Sequence, residues 1–512
     1  MQQPSHQVLA LFHFKFRTQA EEEKKSETIL QSMAQEFRQE TLESGPVSFN
    51  VANGELDDDG KPRRTGTMWT ASAHIITAII GSGVLSLAWS IAQLGWIAGV
   101  GALLAFSCIT YYTSGLLADC YRYPHPVNGG KRNYTYKAAV RAYLGEKKHK
   151  ACGFVQFILL SGSAIGYTIT ASISMRAIRE SNCYHKGGHG ASCKYSSSWY
   201  ILGLGITEIF VSQIPNFHKL SWLSIIAAIM SFAYAAIGLG LALVKVISGD
   251  GGRTTLSGIE VGMNLTTEDK IWRMFRAIGD MAFACAYSPI LIEIADTLRS
   301  SPPETNVMKK ANAIAVITST TFYMMCGCLG YAAFGNNAPG NMLTGFGFYE
   351  PFWLIDLANL CIVVHLLGAY QVLSQPVFNT VELWAKMRWP ESKFVSREYP
   401  LSIGDKKFNN FSINLLRVGW RTTFVVVVTV LAMALPFFND ILALLGALAY
   451  WPMAVYFPVE MHIAQNKIKR RSIRWLGLEI LNFVCFLISI GVACSAIQGL
   501  NQGLHTYKPF KF

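Results

Sequence analysis

From Met68 onward the chain keeps returning to apolar runs long enough to cross a bilayer, and nothing else in it limits the fold so tightly. A hydrocarbon core of about 30 Å needs about 20 apolar residues in a helix, because an unpaired backbone amide there costs several kcal/mol. Eleven stretches qualify: 68–93, 95–118, 152–178, 199–214, 220–246, 272–298, 311–334, 351–376, 418–437, 440–459 and 475–498. The fourth is short and carries Glu208, and only Phe438 and Asn439 separate the ninth from the tenth. The chain is 51% hydrophobic and 15% charged, whereas soluble domains are about a quarter charged. An all-α membrane protein is expected, and a nucleic-acid partner is not.

The basic residues give the orientation. Lys and Arg gather in cytosolic loops. With the N-terminus inside, the inner segments hold 25 Lys/Arg and the outer ones 11. An odd number of spans then leaves the C-terminus outside. Residues 1–67 differ: eight Lys/Arg against eleven Asp/Glu make this segment net −3. It reads as a mostly disordered cytosolic tail, with a short helix expected at 26–39. No basic start followed by an apolar core and small-residue cleavage site is present, which argues against a secretory signal.

Two cues fit this orientation. Asn264-Leu265-Thr266 is a glycosylation sequon in the expected outer loop 247–271. Two further sequons, at Asn133 and Asn410, fall inside, so chance also accounts for such a triplet. Cys183 and Cys193 share an outer loop, where an oxidising compartment allows a disulfide. Free thiols, or a metal site with His185 and His189, are the alternatives; the irregular spacing disfavours a metal.

Two spans are interrupted. The first contains Ile80-Gly81-Ser82-Gly83-Val84 and the sixth Tyr287-Ser288-Pro289. Glycine pairs and proline break the helical ladder, and in a membrane such breaks persist where they line a cavity. Spans one to five (68–246) and six to ten (272–459) form two units, each with its break in the first helix. One unit is entered from inside and the other from outside, so they are inverted. Residues 460–512 add an eleventh helix and an outer terminus. Matching breaks in inverted repeats point to a transporter binding site. Half-helix amides at Gly81, Ser82 and Gly83 suit a carboxylate, and Tyr287 and Ser288 face them as further binding candidates. Close packing is the competing explanation for either break alone.

Ionisable residues inside spans are costly and often functional. His74 and His365 are the histidines placed there, and either is able to carry a proton. A neutral imidazole bonded between helices is the alternative. The sixth span adds Asp280 on the outer side of its break and Glu293 and Asp296 near its inner end. These are candidates for coupling or gating, although Asp296 and Arg299 also suit a helix-end ion pair. Glu208 and Asp356 carry no specific expectation.

The motifs now carry a resemblance. Trp69-Thr70-Ala71-Ser72-Ala73-His74 runs into Gly81-Ser82-Gly83-Val84-Leu85-Ser86-Leu87-Ala88-Trp89. Leu117-Ala118-Asp119-Cys120-Tyr121-Arg122, Pro215-Asn216-Phe217-His218-Lys219-Leu220-Ser221 and Gly330-Tyr331-Ala332-Ala333-Phe334-Gly335 follow. Over about residues 60–512 the chain closely resembles the plant amino acid permease family, within the amino acid/auxin permease group. The resemblance implies eleven spans, a LeuT-like 5+5 inverted repeat plus one extra helix, and proton-coupled amino acid uptake at the plasma membrane. It implies transport roles for His74 and His365. The sixth span departs from the family, which more often has Tyr-Ser at Cys285-Ala286, Thr at Pro289 and Gln at Ala295.

The expected activity is therefore amino acid–proton symport by alternating access. Its partners are amino acids, protons and the lipid bilayer. No nucleophile–base pair, metal motif or phosphate loop is visible, so neither an enzyme nor a cofactor is expected. Another solute on the same fold (an auxin or a compatible solute) and a non-transporting amino acid sensor are the rivals.

Overall fold

The computed structural model describes residues 56–60, 63–124, 130–188, 191–214, 221–262, 265–346, 351–403 and 406–506. The helix expected at 26–39 and the sequon residue Asn264 lie outside the described residues. The chain divides into two units, Met1–Arg63 and Arg64–Phe512, and all that follows concerns the second.

The described part is mostly helical. Helix α1 (Met68–Ile79) starts on a reciprocal cap: Thr67 Oγ1 accepts the Thr70 amide at 3.3 Å, and Thr70 Oγ1 accepts the Thr67 amide at 2.8 Å. The helix stops at Ile79, and a 3-10 turn (Ser82–Ser86) restarts it into α2 (Leu87–Asp119). Inside α2 the backbone turns at Gly95, with φ 80° and ψ 176°. A side chain at Gly95 would strike the loop at Leu256 and Gly258, whose strand-like bonds (Ile259 N–H to Ala92 carbonyl, 3.0 Å) brace this turn. Only glycine combines that φ with so close an approach.

The hairpin β1 (Arg122–Pro124) and β2 (Gly130–Arg132) leads to short α3 (Tyr136–Leu144). Then come α4 (Glu146–Gly187), α5 (Ser198–Ser212) and α6 (Ser221–Ile247). The second interrupted element is α7 (Thr267–Cys285), a 3-10 turn (Ser288–Ile290) and five-residue α8 (Leu291–Ala295). Beyond it run α9 (Glu304–Phe334), α10 (Phe352–Arg388), a short α11 (Lys393–Ser396) and the paired strands Glu398–Ile403 and Lys406–Asn414. The chain ends with α12 (Leu415–Ala434), α13 (Phe438–Ala449), a π-turn (Tyr450–Tyr456), α14 (Phe457–Gln465) and α15 (Ile473–Thr506).

Among the described residues nine helices are long and apolar enough to cross a membrane, and Met68–Ile79 and Ser198–Ser212 are shorter apolar helices. They fall along the expected stretches, with Met68–Ile79 and the start of Ser82–Asp119 sharing the first; by length and composition nine, not eleven, are spans among the described residues. One boundary moves: the ninth and tenth stretches part at Leu435, Pro436 and Phe437, not at Phe438 and Asn439. Pro436 explains the shift, since it cannot continue a ladder and restricts the residue before it.

Helix α2 packs on α9 and α7, α7 on α13, and α10 on α4 and α6. The two interrupted elements meet between these layers.

Candidate functional site

The first break consists of Ile80 and Gly81. Gly81 is extended (φ −127°, ψ −153°), and Ile80 leaves the helical region at φ −75°, ψ 82°. The second consists of Ala286 (φ −91°, ψ 93°) and Tyr287, with Pro289 early in the new turn, where its missing donor costs nothing. Both breaks therefore fall where the residue pattern placed them.

They lie against each other. A Cβ added to Gly83 would sit 2.9 Å from the Ala284 Cβ and 3.0 Å from its Cα. Tyr323, from α9, joins them: its buried hydroxyl donates to the Ile79 carbonyl and lies 3.2 Å from the Ala284 carbonyl. Both are last-turn carbonyls at an interruption, and that of Ile79 also accepts the Gly81 amide. One phenol thus serves the ends of both half-helices.

The polar groups around the breaks are sparsely matched. Ser82 Oγ and Ser288 Oγ are buried with no hydrogen-bond partner, and so is the Tyr234 hydroxyl on α6. Buried hydroxyls of this kind cost roughly 1–3 kcal/mol each unless something bonds them. Of the three amides expected to face a ligand, that of Gly81 is already given to the Ile79 carbonyl at 2.8 Å. Ser82 and Gly83 open the new turn, where the first donors have no partner within it.

The two histidines separate. His365 is 5% exposed and stands beside the first break: a Cβ on Gly81 would lie 3.9 Å from its Nε2. Its Nδ1 is 2.7 Å from the Ala227 carbonyl, which identifies Nδ1 as the protonated nitrogen and leaves Nε2 facing Gly81. The Tyr234 ring packs edge-on, 5.8 Å away. His74 is exposed on α1 and does not join this group.

Tyr287 is buried, but its hydroxyl donates to Asn312 Oδ1, and Asn312 in turn donates to the Tyr111 carbonyl at 3.2 Å. Its phenol is thus committed to the α2–α9 seam, and Ser288 is the second break's unpartnered side-chain hydroxyl.

The three carboxylates of the sixth stretch have separate partners. Asp280, fully buried, accepts from Asn439 Nδ2 at 2.8 Å, and its Oδ1 has no partner. Next to it Arg276 and Asp440 pair at 2.8 Å. At the other end, Glu293 caps α3 by accepting the Tyr136 amide at 3.1 Å. Asp296 accepts from Arg64 Nη2 at 2.9 Å and from the Tyr121 hydroxyl at 2.7 Å. The Arg64 Nε also donates to the Asp296 carbonyl at 2.5 Å, and Gly66 exchanges backbone bonds with Thr297 and Arg299. The expected helix-end pairing of Asp296 with Arg299 gives way to a tie between α8 and the strand leading into α1. Burial, then the bond to Asp296, push the Tyr121 phenol up, so it stays a donor.

A further clamp secures this rim. Glu304, at the start of α9, holds Arg122 at 2.7 Å and Arg132 at 3.3 Å across the β1–β2 hairpin. Cys183 and Cys193 are disulfide-bonded at the end of α4, with Cα atoms 5.8 Å apart, and His185 stacks on Phe352.

Arg64, Tyr121, Tyr234, Asn312 and Tyr323 are the members the sequence pattern does not single out. Each lies far along the chain from what it bonds or, for Tyr234, from the His365 ring it packs against. A polar residue on an otherwise apolar face is the only signal they leave, and packed helices are full of these.

Two discontinuous helices crossing at unpartnered hydroxyls, inside a helical membrane bundle, define a carrier of the transporter class. The chain matches the family described as Transmembrane amino acid transporter protein over residues 64–502, and it belongs to that family. It is 58% identical to Amino acid permease 6 of Arabidopsis thaliana, over 90% of this chain and 95% of that one. It is 56% identical to Amino acid permease 1 of the same plant, over 92% of this chain and 97% of the relative. Its fold is similar to the crystal structure of MhsT in complex with L-phenylalanine: TM-score 0.52, 11% identity, 85% of this chain and 100% of the other. That likeness is one of LeuT-type fold alone.

Proposed function

We propose that this protein imports amino acids together with protons across the plasma membrane by alternating access. Supporting this is the meeting of the two breaks, where Ser82 Oγ and Ser288 Oγ are buried and unpartnered beside His365. A zwitterion fits these groups. The opening amides of Ser82 and Gly83, with Gly81 giving close backbone approach, receive the carboxylate. Ser288 and the carbonyl ends near Ala284, with Tyr287 shaping the wall, receive the ammonium.

His365 handles the proton or the substrate at this level. Asp280 lies on the outer path, and Asp296 with Arg64 closes the inner one. Glu293 holds α3 to the end of α8, so movement of that end is passed to the inner loop. His74 stands apart from this group, at the entrance from the inner side. The first five helices (68–246) rock against the next five (272–459) about the site, and the eleventh lies outside this motion. The N-terminus is cytosolic, the C-terminus extracellular, and Asn264 glycosylated in the outer loop. The coupling has enough energy behind it: one charge moved through 100 mV supplies about 2.3 kcal/mol.

The test is expression in oocytes under voltage clamp with a panel of amino acids. Inward current that grows at acidic outside pH, with matching labelled uptake, is expected. Neither current nor uptake with any of the amino acids would end the proposal, and uptake without a pH-dependent current would end its coupling.

A further inference from the structure

Away from the breaks, the loop between α14 and α15 and the ends of both helices surround a cavity of about 790 Å³. Tyr112 of α2 closes one side; His462, Lys469, Ser472 and Arg474 line its polar part, and Leu478 belongs to its apolar part. The loop is strongly basic. Lys467, Lys469, Arg470, Arg471 and Arg474 fall within eight residues, and the nearest acidic residues in the chain are Glu460 and Glu479. Neither of those lines the cavity. Among the described residues none of the five cations forms an ion pair, although Arg64, Arg122, Arg276 and Arg421 all do so elsewhere.

The backbone accentuates this. Among the described residues Lys467 and Arg471 are the two non-glycine residues with left-handed φ (48° and 67°), a conformation side chains adopt at a cost. The loop is thus tightly wound with its cations turned outward. Beside it, Ile473 is 92% exposed and Leu476 52%, so the start of α15 shows apolar surface next to the charges. Unpaired cations at the polar mouth of a cavity, with apolar wall running down a membrane helix, match one ligand shape: an anionic headgroup on acyl chains.

We propose that this cavity binds an anionic phospholipid of the inner leaflet, its phosphate held by Lys469 and Arg474 and its chains lying along α15. The inference rests on the orientation given under Proposed function, which places this loop at the cytosolic face, where anionic lipids concentrate. His462 and Ser472 supply further hydrogen bonds to the headgroup. Occupancy ties α15 to α14 and α2, and so stiffens the join between the last helix and the bundle.

The experiment uses the full chain in neutral detergent, titrated with phosphatidylserine, phosphatidylcholine or inorganic phosphate. Thermal midpoint and lipid retained in native mass spectrometry are the readouts. Phosphatidylserine is expected to be retained in preference to phosphatidylcholine and to raise the midpoint. The double variant Lys469→Gln with Arg474→Gln should weaken that preference about tenfold or more. The double variant Lys147→Gln with Lys150→Gln, at exposed positions of another basic segment, should keep it. The charge-conserving pair Lys469→Arg with Arg474→Lys should keep it too, which separates loss of charge from loss of fold. Equal retention of both lipids, equal loss in the Lys147 and Lys150 variant, or phosphate alone reproducing the whole stabilisation would overturn the proposal. Neither readout needs transport, so an inactive protein that still selects phosphatidylserine would sink the transport reading and leave this one standing.

Discussion

The two interrupted helices share a geometry but not a chemistry. The first is broken by Gly81, and no carboxylate lies anywhere between Arg64 and Trp96. Its neighbours are amides, Ser82 and the Nε2 face of His365. The second is broken before Pro289 and has carboxylates on either side, Asp280 before it and Glu293 and Asp296 after it. In the transport reading proposed above, the first break takes the negative end of a zwitterion and the second its positive end. The shared phenol of Tyr323 makes them one unit, so disturbing either half is felt by the other.

The harshest way to break this pairing is steric. Gly83→Val places its Cβ within 2.9 Å of the Ala284 Cβ, and Ala284 is itself backbone-anchored. Uptake is expected to fall at least about a hundredfold while surface abundance, measured by biotinylation, falls far less; overpacking of this kind costs typically about 1–3 kcal/mol. Near-normal uptake would mean that the breaks do not touch in the working protein.

Next is the inner tie. Asp296→Asn removes a charge that Arg64 and Tyr121 both serve, and so weakens the side-chain half of the tie. About a tenfold drop in net uptake is expected, with increased labelling of inner-side cysteines by a permeant thiol reagent. If Arg64→Gln produces no matching phenotype, the pair is not a gate.

The histidines offer a contrast on a smaller scale. His365→Gln should raise the half-saturating amino acid concentration about tenfold and flatten the pH dependence of current, because its ring faces Gly81. His74→Gln, on an exposed helix face, should change either by less than about twofold. The reverse order would show that the inner approach, not the break, handles the proton.

Tyr323→Phe is the mildest and tests the joint itself. Loss of the hydroxyl leaves the Ile79 carbonyl with the Gly81 amide alone and takes the nearby donor from the Ala284 carbonyl, at roughly 1–3 kcal/mol. Thermal unfolding should begin lower by a few degrees with folding otherwise intact. An unchanged midpoint would indicate that water takes over the bond.

Much of the fold was legible because bilayers make simple demands. A run of apolar residues has one cheap solution, and Gly81, Gly83 and Pro289 announce the interruptions through backbone chemistry that needs no neighbour. Partnerships were less legible. Asp296 has Arg299 three residues on as one candidate partner, yet it pairs with Arg64, 232 residues off. Nothing local shows that the Tyr287 hydroxyl is held by Asn312, 25 residues on. The helix boundary at Pro436 was misplaced by a few residues because apolar Phe438 looked like a separator and belongs to the next helix.

The sequence alone determined that the chain lives in a membrane, where its helices fall and where two of them must break, since local backbone and solvation physics settle these. Tertiary structure decided that the breaks cross at Gly83 and Ala284, that His365 joins them while His74 does not, and which cation each carboxylate meets. Those choices depend on which helix faces which, and side-chain pattern along one chain does not encode the distance between two points far apart on it.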